Sequence, residues 1–339
     1  MKALMKLKDG GMALVDIPEP APGPGEVKVL VKATGICGTD LYGYSAVKPP
    51  VVLGHETAGE VVEVGEGVKR LRVGDRVTTE TTAYVCGKCR FCQSGNYNLC
   101  PERRGLGSKV NGAFAKYFVI REKSVHRLPS NVDFLSGALT EPLACAIHAV
   151  TEQGKISSGD VVLVIGPGPL GLLVGQVAKT QGARVIICGL TGDEERLALA
   201  KGLGVDFALN LQIMDISRFI EEVTDGYGAD AVFECAGAPS AVELGLKLVR
   251  KRGKYIQAGI LRQPVKLNLD DVLFGREINL IGSHTQRPSS WTKALRLMRE
   301  EKVNLKSLVT HQFPLTEWEK GFKIAKERNS IKVILYPEV

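Results

Sequence analysis

The stretch Val161-Val162-Leu163-Val164-Ile165-Gly166-Pro167-Gly168-Pro169-Leu170-Gly171 decides the fold. Its five leading apolar residues predict a buried parallel strand, and the glycines that follow have the spacing G-x-G-x-x-G ahead of a helix over residues 170–180. Gly166 permits the tight turn, Gly168 lets the backbone approach a pyrophosphate, and Gly171 allows helix and strand to pack closely. The unpaired N–H groups at the helix start favour phosphate. We therefore predict a dinucleotide site at Gly166, Gly168, Pro169, Leu170 and Gly171; the alternative is a purely structural turn.

The next predicted strand, Arg184–Cys188, lacks the acidic residue that usually ends it. In dinucleotide sites this acid bonds the ribose 2′-OH, but Gly189 stands here. Without a carboxylate a 2′-phosphate is no longer repelled, so Thr191 could bond it and Arg196 could pair with it. The pattern slightly favours NADP over NAD as the cofactor. In the opposing interpretation, Asp193 turns back to take the ribose.

Strands and helices alternate through the middle of the chain. The predicted elements are strands at 230–235, 253–258 and 277–282 and helices at 193–203 and 240–251. This alternation predicts an α/β fold with a doubly wound parallel sheet. Because ligands bind at the carboxyl ends of such strands, further cofactor contacts are expected there. These expected contacts are Ala236, Gly259, Ile260, Ser283 and His284.

The flanking segments have a different pattern. Short apolar runs such as Val27–Val31, Gly59–Val64 and Arg76–Thr79, bounded by turn residues, predict a compact β domain in the first 130 residues. From residue 284 the chain returns to helices at 291–301 and 316–328 and a strand at 331–336. A chain of 339 residues is long enough for two domains.

Four cysteines, Cys86, Cys89, Cys92 and Cys100, lie within fifteen residues. Four thiolates on one short loop are typical of a tetrahedral zinc site. Bacterial ferredoxins use C-x2-C-x2-C-x3-C-P, and Pro101 follows Cys100 here, but the last gap is seven residues and no second set exists. We predict a structural zinc, because four protein ligands leave no open position. An iron–sulfur cluster and free thiols are the alternatives.

Composition excludes several classes of protein. The formal net charge of +7 is mild for this length, and no run of five or more Lys or Arg occurs, so no nucleic-acid partner is expected. No stretch approaches the roughly 20 apolar residues of a membrane span, and the first residues do not form a secretory signal. We expect a cytoplasmic protein without a membrane partner, in which a cluster of cysteines binds metal and disulfides are not expected.

Several short motifs occur in order along the chain. They are Gly35-Ile36-Cys37-Gly38-Thr39-Asp40; Gly54-His55-Glu56 followed by Gly59-Glu60-Val61-Val62; Val73-Gly74-Asp75-Arg76-Val77; the four cysteines; Glu141-Pro142-Leu143; and Gly166 to Gly171. With these motifs nearly the whole chain resembles a zinc-dependent medium-chain dehydrogenase of the alcohol and polyol dehydrogenase family. The resemblance implies a GroES-like catalytic domain at 1–145 with a zinc lobe at 84–102, a Rossmann cofactor domain at 146–283, and a return segment at 284–339 that completes the catalytic domain.

The resemblance also implies a second, catalytic zinc. Its ligands would be Cys37, His55 and Glu141, while Glu56 would bind the metal directly or through water. Alcohol dehydrogenases proper have Cys at the third position, whereas sorbitol-type and threonine-type enzymes have Glu, as here. Together with the structural site this makes two zinc ions per chain, beside NAD or NADP.

Three residues receive catalytic roles from the same resemblance. Asp40 would orient the metal-binding histidine, Thr39 would accept the substrate proton, and Glu56 is a candidate for the proton relay. Many relatives have His five residues after the ligand cysteine, where this chain has Tyr42. The proton relay beyond Thr39 therefore stays open between Tyr42, the cofactor ribose with water, and Glu56.

The residues after Glu141 resemble those of polyol and sugar dehydrogenases. The expected reaction is reversible oxidation of a secondary hydroxyl of a polyol or sugar alcohol to a ketone by hydride transfer. The alternatives are an L-threonine 3-dehydrogenase-like enzyme and a general alcohol dehydrogenase. Tyr42, Tyr44 and Trp291 are candidates for lining the pocket, although packing is as good an explanation for Trp291. The resemblance implies a homotetramer or homodimer in which edge strands of the cofactor domains pair.

Overall fold

The computed structural model describes residues 1–41 and 47–337 and contains two compact units. One unit consists of residues 1–141 and 287–339, and the other of residues 142–286. The divisions fall at 141/142 and 286/287, against predicted boundaries at 145/146 and 283/284. Tyr42 and Tyr44 lie outside the described residues.

Short strands make up most of the segment before residue 142. The strands are β1 (Lys2–Lys6), β2 (Met12–Asp16), β3 (Glu26–Gly35), β4 (Val51–Val52), β5 (Glu56–Val64), β6 (Arg76–Thr79), β7 (Thr82–Tyr84), β8 (Arg104–Gly105), β9 (Tyr117–Arg121) and β10 (Val125–Arg127), and the helices are α1 (Gly38–Leu41), α2 (Arg90–Gln93) and α3 (Phe134–Ala138). Three sheets form in this unit: β2-β1-β4, the pair β7-β8, and a larger mixed sheet around β3. Val27, Val29 and Val31 alternate along β3 and are almost fully buried, as expected for a strand with one face on a core.

The pairing of β3 with β5 sets the register of this larger sheet. The two strands run antiparallel, and Gly35 at the end of β3 faces Glu56 at the start of β5. A Cβ atom on Gly59 would lie 2.1 Å from the carbonyl oxygen of Leu30. The strands therefore approach each other at a distance that only glycine allows at this position.

The second unit alternates strands and helices. After α4 (Thr140–Ile147) come β11 (Val161–Ile165), α5 (Pro169–Thr180), β12 (Arg184–Gly189), α6 (Glu194–Gly202), β13 (Phe207–Asn210), α7 (Ile216–Val223), β14 (Ala229–Glu234), α8 (Pro239–Leu248), β15 (Val249–Gln257) and β16 (Asn279–Gly282). The six strands form one parallel sheet in the order β13-β12-β11-β14-β15-β16. This is the doubly wound α/β fold expected from the sequence. Its central strand β11 is buried and follows the predicted bounds.

Two local predictions in this unit were wrong or incomplete. The helix predicted at 240–251 ends at Leu248, and Val249 already pairs with Ala229 as part of β15. The charged residues Arg250 to Arg252 match a helix end equally well, so pairing with β14 decides their conformation. The helix α7 was not predicted, and neither was the strand β13, which is only four residues long and half-buried throughout.

The chain then returns to the first unit. This segment contains α9 (Pro288–Arg299), β17 (Val309–Pro314), α10 (Trp318–Lys326) and β18 (Lys332–Tyr336). β18 pairs antiparallel with β3 and parallel with β17, which extends the sheet to seven strands. Trp291 in α9 is fully buried and stacks on His126, so this tryptophan serves the core. Across the residues described, none of the helices is both long and apolar enough to span a bilayer.

Candidate metal centres and cofactor site

Three neighbouring strands bring the first candidate metal centre together. Cys37 follows the end of β3, His55 immediately precedes β5, and Lys332 is the first residue of β18 on the other side of β3. The residues are up to 295 positions apart in sequence, yet the strand order β5-β3-β18 makes them neighbours. Sheet pairing, and not a local loop, therefore positions this centre.

The donor atoms of this centre fit a metal ion. One donor atom each from Cys37, His55 and Glu56 lies within 4.8 Å of the other two. A Cβ atom on Gly35 would lie only 2.3 Å from Oε2 of Glu56, so the glycine provides the space that this carboxylate occupies. Thiolate, imidazole and carboxylate are the ligands of catalytic zinc sites. Cys37, His55 and a carboxylate could thus hold zinc here.

The electrostatics of the centre favour a cation. Burial disfavours the imidazolium form of His55, but the Asp40 carboxylate and the Cys37 thiolate outweigh it and raise the pKa of His55 well above its usual value. Burial likewise disfavours the ammonium form of Lys332, yet Glu56 and Cys37 raise its pKa. Both shifts report an excess of negative charge in a buried place, which a dication would neutralise.

The carboxylate of Glu56 is already held by a buried ammonium. Lys332 Nζ lies 2.8 Å from Oε1 and 2.7 Å from Oε2 of Glu56, and it also donates to the carbonyl oxygen of Ile36 at 3.1 Å. The side chains of Lys332 and Glu56 are 4% and 2% exposed. Sequence reasoning missed Lys332, because nothing in the pattern around residue 332 distinguishes this lysine from a surface one.

Glu141, the third ligand implied by the resemblance, is buried at the start of α4. Its charge contributes to the raised pKa values of His55 and Lys332. Within the described ranges it is not a member of the donor group within 4.8 Å, in which Glu56 is the carboxylate. Its ligation therefore stays a prediction.

Asp40 and Thr39 lie on the short helix α1, directly after Cys37. Asp40 Oδ2 accepts a hydrogen bond from the backbone N–H of Cys37 at 2.9 Å, and Oδ1 lies 3.7 Å from Nδ1 of His55. This position suits the orienting role, because it leaves the other ring nitrogen of His55 for a metal. Thr39 is half-buried on the same helix.

The second candidate metal centre is the four-cysteine lobe. The Sγ atoms of Cys86 and Cys92 are 3.9 Å apart, those of Cys89 and Cys92 3.6 Å, and those of Cys86 and Cys100 3.6 Å. A tetrahedron with Zn–S bonds of 2.3 Å has edges of about 3.8 Å. Backbone N–H groups of Lys88 and Cys89 lower the pKa of Cys86 to about 7, whereas burial raises the pKa of Cys92, so a cation is needed to keep all four sulfurs as thiolates. The four sulfurs thus fit a single zinc ion.

The glycine loop has the geometry that the sequence predicted for each glycine. Gly166 has a φ of 103°, and a Cβ atom there would lie 2.9 Å from the backbone nitrogen of Ala236. Gly168 is the N-cap of α5, with Pro169 and Leu170 next, and a Cβ atom on it would meet nothing within 4 Å. A Cβ atom on Gly171 would lie 2.0 Å from the carbonyl oxygen of Gly166. The loop therefore presents open backbone at Gly168, where a phosphate could approach.

Other predicted cofactor residues gather at the same edge of the sheet. Gly237 has a φ of 69°, and a Cβ atom on it would lie 2.5 Å from the carbonyl oxygen of Ile260. A Cβ atom on Gly259 would lie 2.7 Å from the backbone nitrogen of Gly237. Ser283, which precedes the exposed His284, donates its N–H to the carbonyl oxygen of Gln257. Ala236, Gly259, Ile260 and Ser283 thus follow adjacent strands in one row.

The residues at the end of β12 are not arranged as expected for an NADP site, in which Thr191 and Arg196 would bind the 2′-phosphate. Arg196, proposed as a partner of a 2′-phosphate, is buried and donates to Asp193 Oδ1 at 3.2 Å. Asp193 Oδ2 lies 3.0 Å from the place where a Cβ atom of residue 189 would stand. Thr191 Oγ1 accepts a hydrogen bond from Asn210 at 3.2 Å. A carboxylate therefore lies at the strand end after all, supplied from the start of the next helix.

The fold and these sites define a zinc-dependent oxidoreductase that uses NAD or NADP. Residues 23–130 match the family "Alcohol dehydrogenase GroES-like domain", and residues 169–300 match "Zinc-binding dehydrogenase". The chain is 49% identical to sorbitol dehydrogenase of Halalkalibacterium halodurans, with 99% of each chain covered, and 42% identical to D-arabitol-phosphate dehydrogenase of Enterococcus avium, with 99% and 97% covered. The crystal structure of galactitol-1-phosphate dehydrogenase from Escherichia coli is similar at a TM-score of 0.90, with 30% identity and 99% and 100% covered. The protein therefore belongs to the zinc-binding alcohol dehydrogenase family.

Zinc content tests the two metal centres separately. We expect two zinc ions per chain in the parent protein and one in Cys89→Ala, which should also unfold at a lower temperature because a structural zinc contributes directly to folding. His55→Ala is the matched variant. It should also retain one zinc ion, the one in the four-cysteine lobe, and should melt at the same temperature as the parent protein. A Cys89→Ala protein with two zinc ions and unchanged melting would contradict the structural role of the lobe.

Replacing Lys332 tests the buried ion pair. Lys332→Met leaves the Glu56 carboxylate buried without its cation, and we expect the metal-free protein to lose about 3–5 kcal/mol of unfolding free energy. The exposed pair Lys320–Glu317 offers the control, and Lys320→Met should cost at most about 1 kcal/mol. Chemical denaturation after chelation measures both values. Equal losses in the two variants would rule out a special role for Lys332.

Proposed function

We propose that this protein oxidises a secondary hydroxyl of a polyol or sugar alcohol to the ketone, reversibly, with a nicotinamide cofactor as the hydride acceptor. The observation that carries the proposal is the convergence of the Cys37, His55 and Glu56 donors in a chain that resembles sorbitol dehydrogenase at 49% identity. Polyol and polyol-phosphate substrates appear in the names of the other relatives compared above. The alternatives have weaker support, because the relatives named L-threonine 3-dehydrogenase are 35–38% identical and the solved alcohol dehydrogenases 27–30% identical to this chain.

The residues of the chain have distinct roles in this proposal. Zinc, when bound, supplies a Lewis acid that lowers the pKa of an oxygen ligand such as water from about 16 toward 7. Asp40 holds His55 in place, and Thr39 Oγ1 accepts the proton of the substrate hydroxyl while passing its own proton onward. The nicotinamide, when bound, would supply the acceptor for the hydride from the carbon that carries this hydroxyl. The products are a ketone, the reduced cofactor and one proton.

We further propose NAD as the preferred cofactor. The buried ion pair between Arg196 and Asp193 supports this choice, because a guanidinium engaged with a carboxylate must break that pair to receive a 2′-phosphate. The Asp193 carboxylate beside Gly189 would also repel such a phosphate.

A substrate panel with both cofactors tests the reaction. We expect sorbitol and related polyols to give the highest kcat/KM, above L-threonine and simple alcohols by at least tenfold, and NAD to be used better than NADP. His55→Ala should lose at least 100-fold in kcat while still binding NADH, because the ligand acts on the substrate and not on the nucleotide. Threonine as the best substrate, or full activity of His55→Ala, would overturn the proposal. A preference for NADP would overturn only the cofactor assignment.

We also propose that the protein forms a two-fold dimer through the edge strand β16. We place the protein in the cytoplasm. Edge strands offer unpaired backbone groups that a symmetry copy can pair with. Three exposed apolar side chains lie in this strand or in the segment shortly before it: Leu273 is 44% exposed, Phe274 88% and Leu280 39%. All eight cysteines lie in the described residues and none of them forms a disulfide, which suits a reducing compartment.

Sedimentation analysis of one variant tests the dimer. Phe274→Asp places a charge in the apolar edge, and we expect it to shift the protein from dimer to monomer. Ile213→Asp is the matched control, because Ile213 is 84% exposed in the same unit but away from β16 in sequence. If Phe274→Asp leaves the assembly unchanged, the interface lies elsewhere.

A further inference from the structure

The carboxylate of Glu234 is the most completely buried acid of the cofactor unit and lies at the carboxyl end of β14. Its exposed fraction is 0%. It sits at the sheet edge where the predicted cofactor residues gather, yet sequence reasoning gave it no role. In the part of the chain that the structure describes, no Lys or Arg lies in salt-bridge range of it. A buried charge without a counter-ion needs an explanation.

Both oxygens of Glu234 are used to fix loops. Oε1 accepts hydrogen bonds from the backbone N–H groups of Ala236 at 2.8 Å and Gly237 at 2.7 Å. Oε2 accepts one from Nε2 of Gln257 at 2.6 Å. The first pair belongs to the loop after β14, and Gln257 ends β15. One carboxylate thus connects the loops that follow two adjacent strands.

The orientation of Gln257 is fixed from its other side. Nε2 also donates to the carbonyl oxygen of Gly259 at 2.8 Å, and Oε1 accepts from the hydroxyl of Tyr255 at 2.9 Å. Rotating the amide by half a turn would place Oε1 against the carbonyl oxygen of Gly259, which only accepts, and would break that bond. A glutamine at position 234 would therefore leave an NH2 group with a donor as its neighbour, either the amide of Gln257 or the backbone N–H of Ala236 and Gly237. Only a carboxylate accepts from all three donors.

The loops after β14 and β15 also meet through their backbones. Gly259 and Gly237 approach backbone to backbone, and a Cβ atom on Gly259 would lie 2.6 Å from Oε2 of Glu234. The loop after β14 also touches the glycine loop. A Cβ atom on Gly166 would lie only 2.9 Å from the backbone nitrogen of Ala236. The Glu234 carboxylate therefore contacts the loop after β14, and that loop in turn contacts the glycine loop.

We propose that Glu234 is a positioning residue for the nicotinamide cofactor: its carboxylate fixes the loops after β14 and β15 in the arrangement that receives the nucleotide. The inference rests on the proposed cofactor site at this edge. Glu234 touches the loops and not the reacting atoms, so its loss weakens cofactor binding while the chemical step at the metal centre persists.

Glu234→Gln tests this role, because it keeps the size of the side chain and removes one acceptor. We expect the Kd for NADH, measured by fluorescence titration well below the melting temperature, to rise at least tenfold. The KM for NAD should rise equally, whereas kcat at saturating NAD and the KM for the polyol should change less than threefold. Gln257→Met removes the hydrogen bond between residue 257 and Glu234 and keeps the carboxylate, so it should raise the Kd for NADH by a smaller factor. This variant provides the test if Glu234→Gln fails to fold.

Glu80 provides a matched control in the other unit. It is also a buried acid, 2% exposed, and it accepts a hydrogen bond from the hydroxyl of Tyr97 and contacts Nε2 of His126. Glu80→Gln should lower the melting temperature and leave the Kd for NADH unchanged. Glu234→Gln and Gln257→Met binding NADH as tightly as the parent, or Glu80→Gln weakening it as much, would overturn the positioning role. A parent protein that binds no NADH would instead overturn the proposed function.

Discussion

The register that pairs Gly35 with Glu56 is the constraint on which the metal centre depends. Because Gly35 has no side chain, the Glu56 carboxylate can occupy the space beside β3, next to Cys37 and His55. A slip by one residue would turn the side chains of β5 to the opposite face of the sheet. β18 then pairs on the other side of β3 and brings Lys332 to the same place. Three strands thus assemble a centre that no single segment contains.

The charges of this centre explain why it needs a cation. A thiolate and carboxylates in a buried place raise the pKa values of His55 and Lys332, and Lys332 neutralises only part of that charge. Lys332 also contacts both oxygens of Glu56. The lysine therefore holds this carboxylate beside the ligand positions, so that a metal is not the only cation that can stabilise the anionic side chains.

Two buried acids in this chain are stabilised in different ways. Glu56 has an ammonium partner at 2.7 Å, whereas the carboxylate of Glu234 accepts from two backbone N–H groups of one loop and from one amide side chain. An ion pair fixes one side chain against another, while N–H donors let a carboxylate fix backbone. The first arrangement suits a centre of side-chain ligands. The second suits an edge where backbone is expected to meet the phosphates and ribose of a nucleotide.

Much of the protein was predictable from the sequence alone, wherever the decisive contacts lie within a few residues. The four cysteines and the glycine loop are local, because their spacing along one short segment fixes which atoms meet. Other features depend on contacts between distant segments. Strand pairing made Val249 a strand residue and brought Lys332 to Glu56. Packing placed the Asp193 carboxylate beside Gly189 and Glu234 between two loops. These contacts join segments far apart in sequence or depend on which way a buried side chain turns, and residue spacing encodes neither.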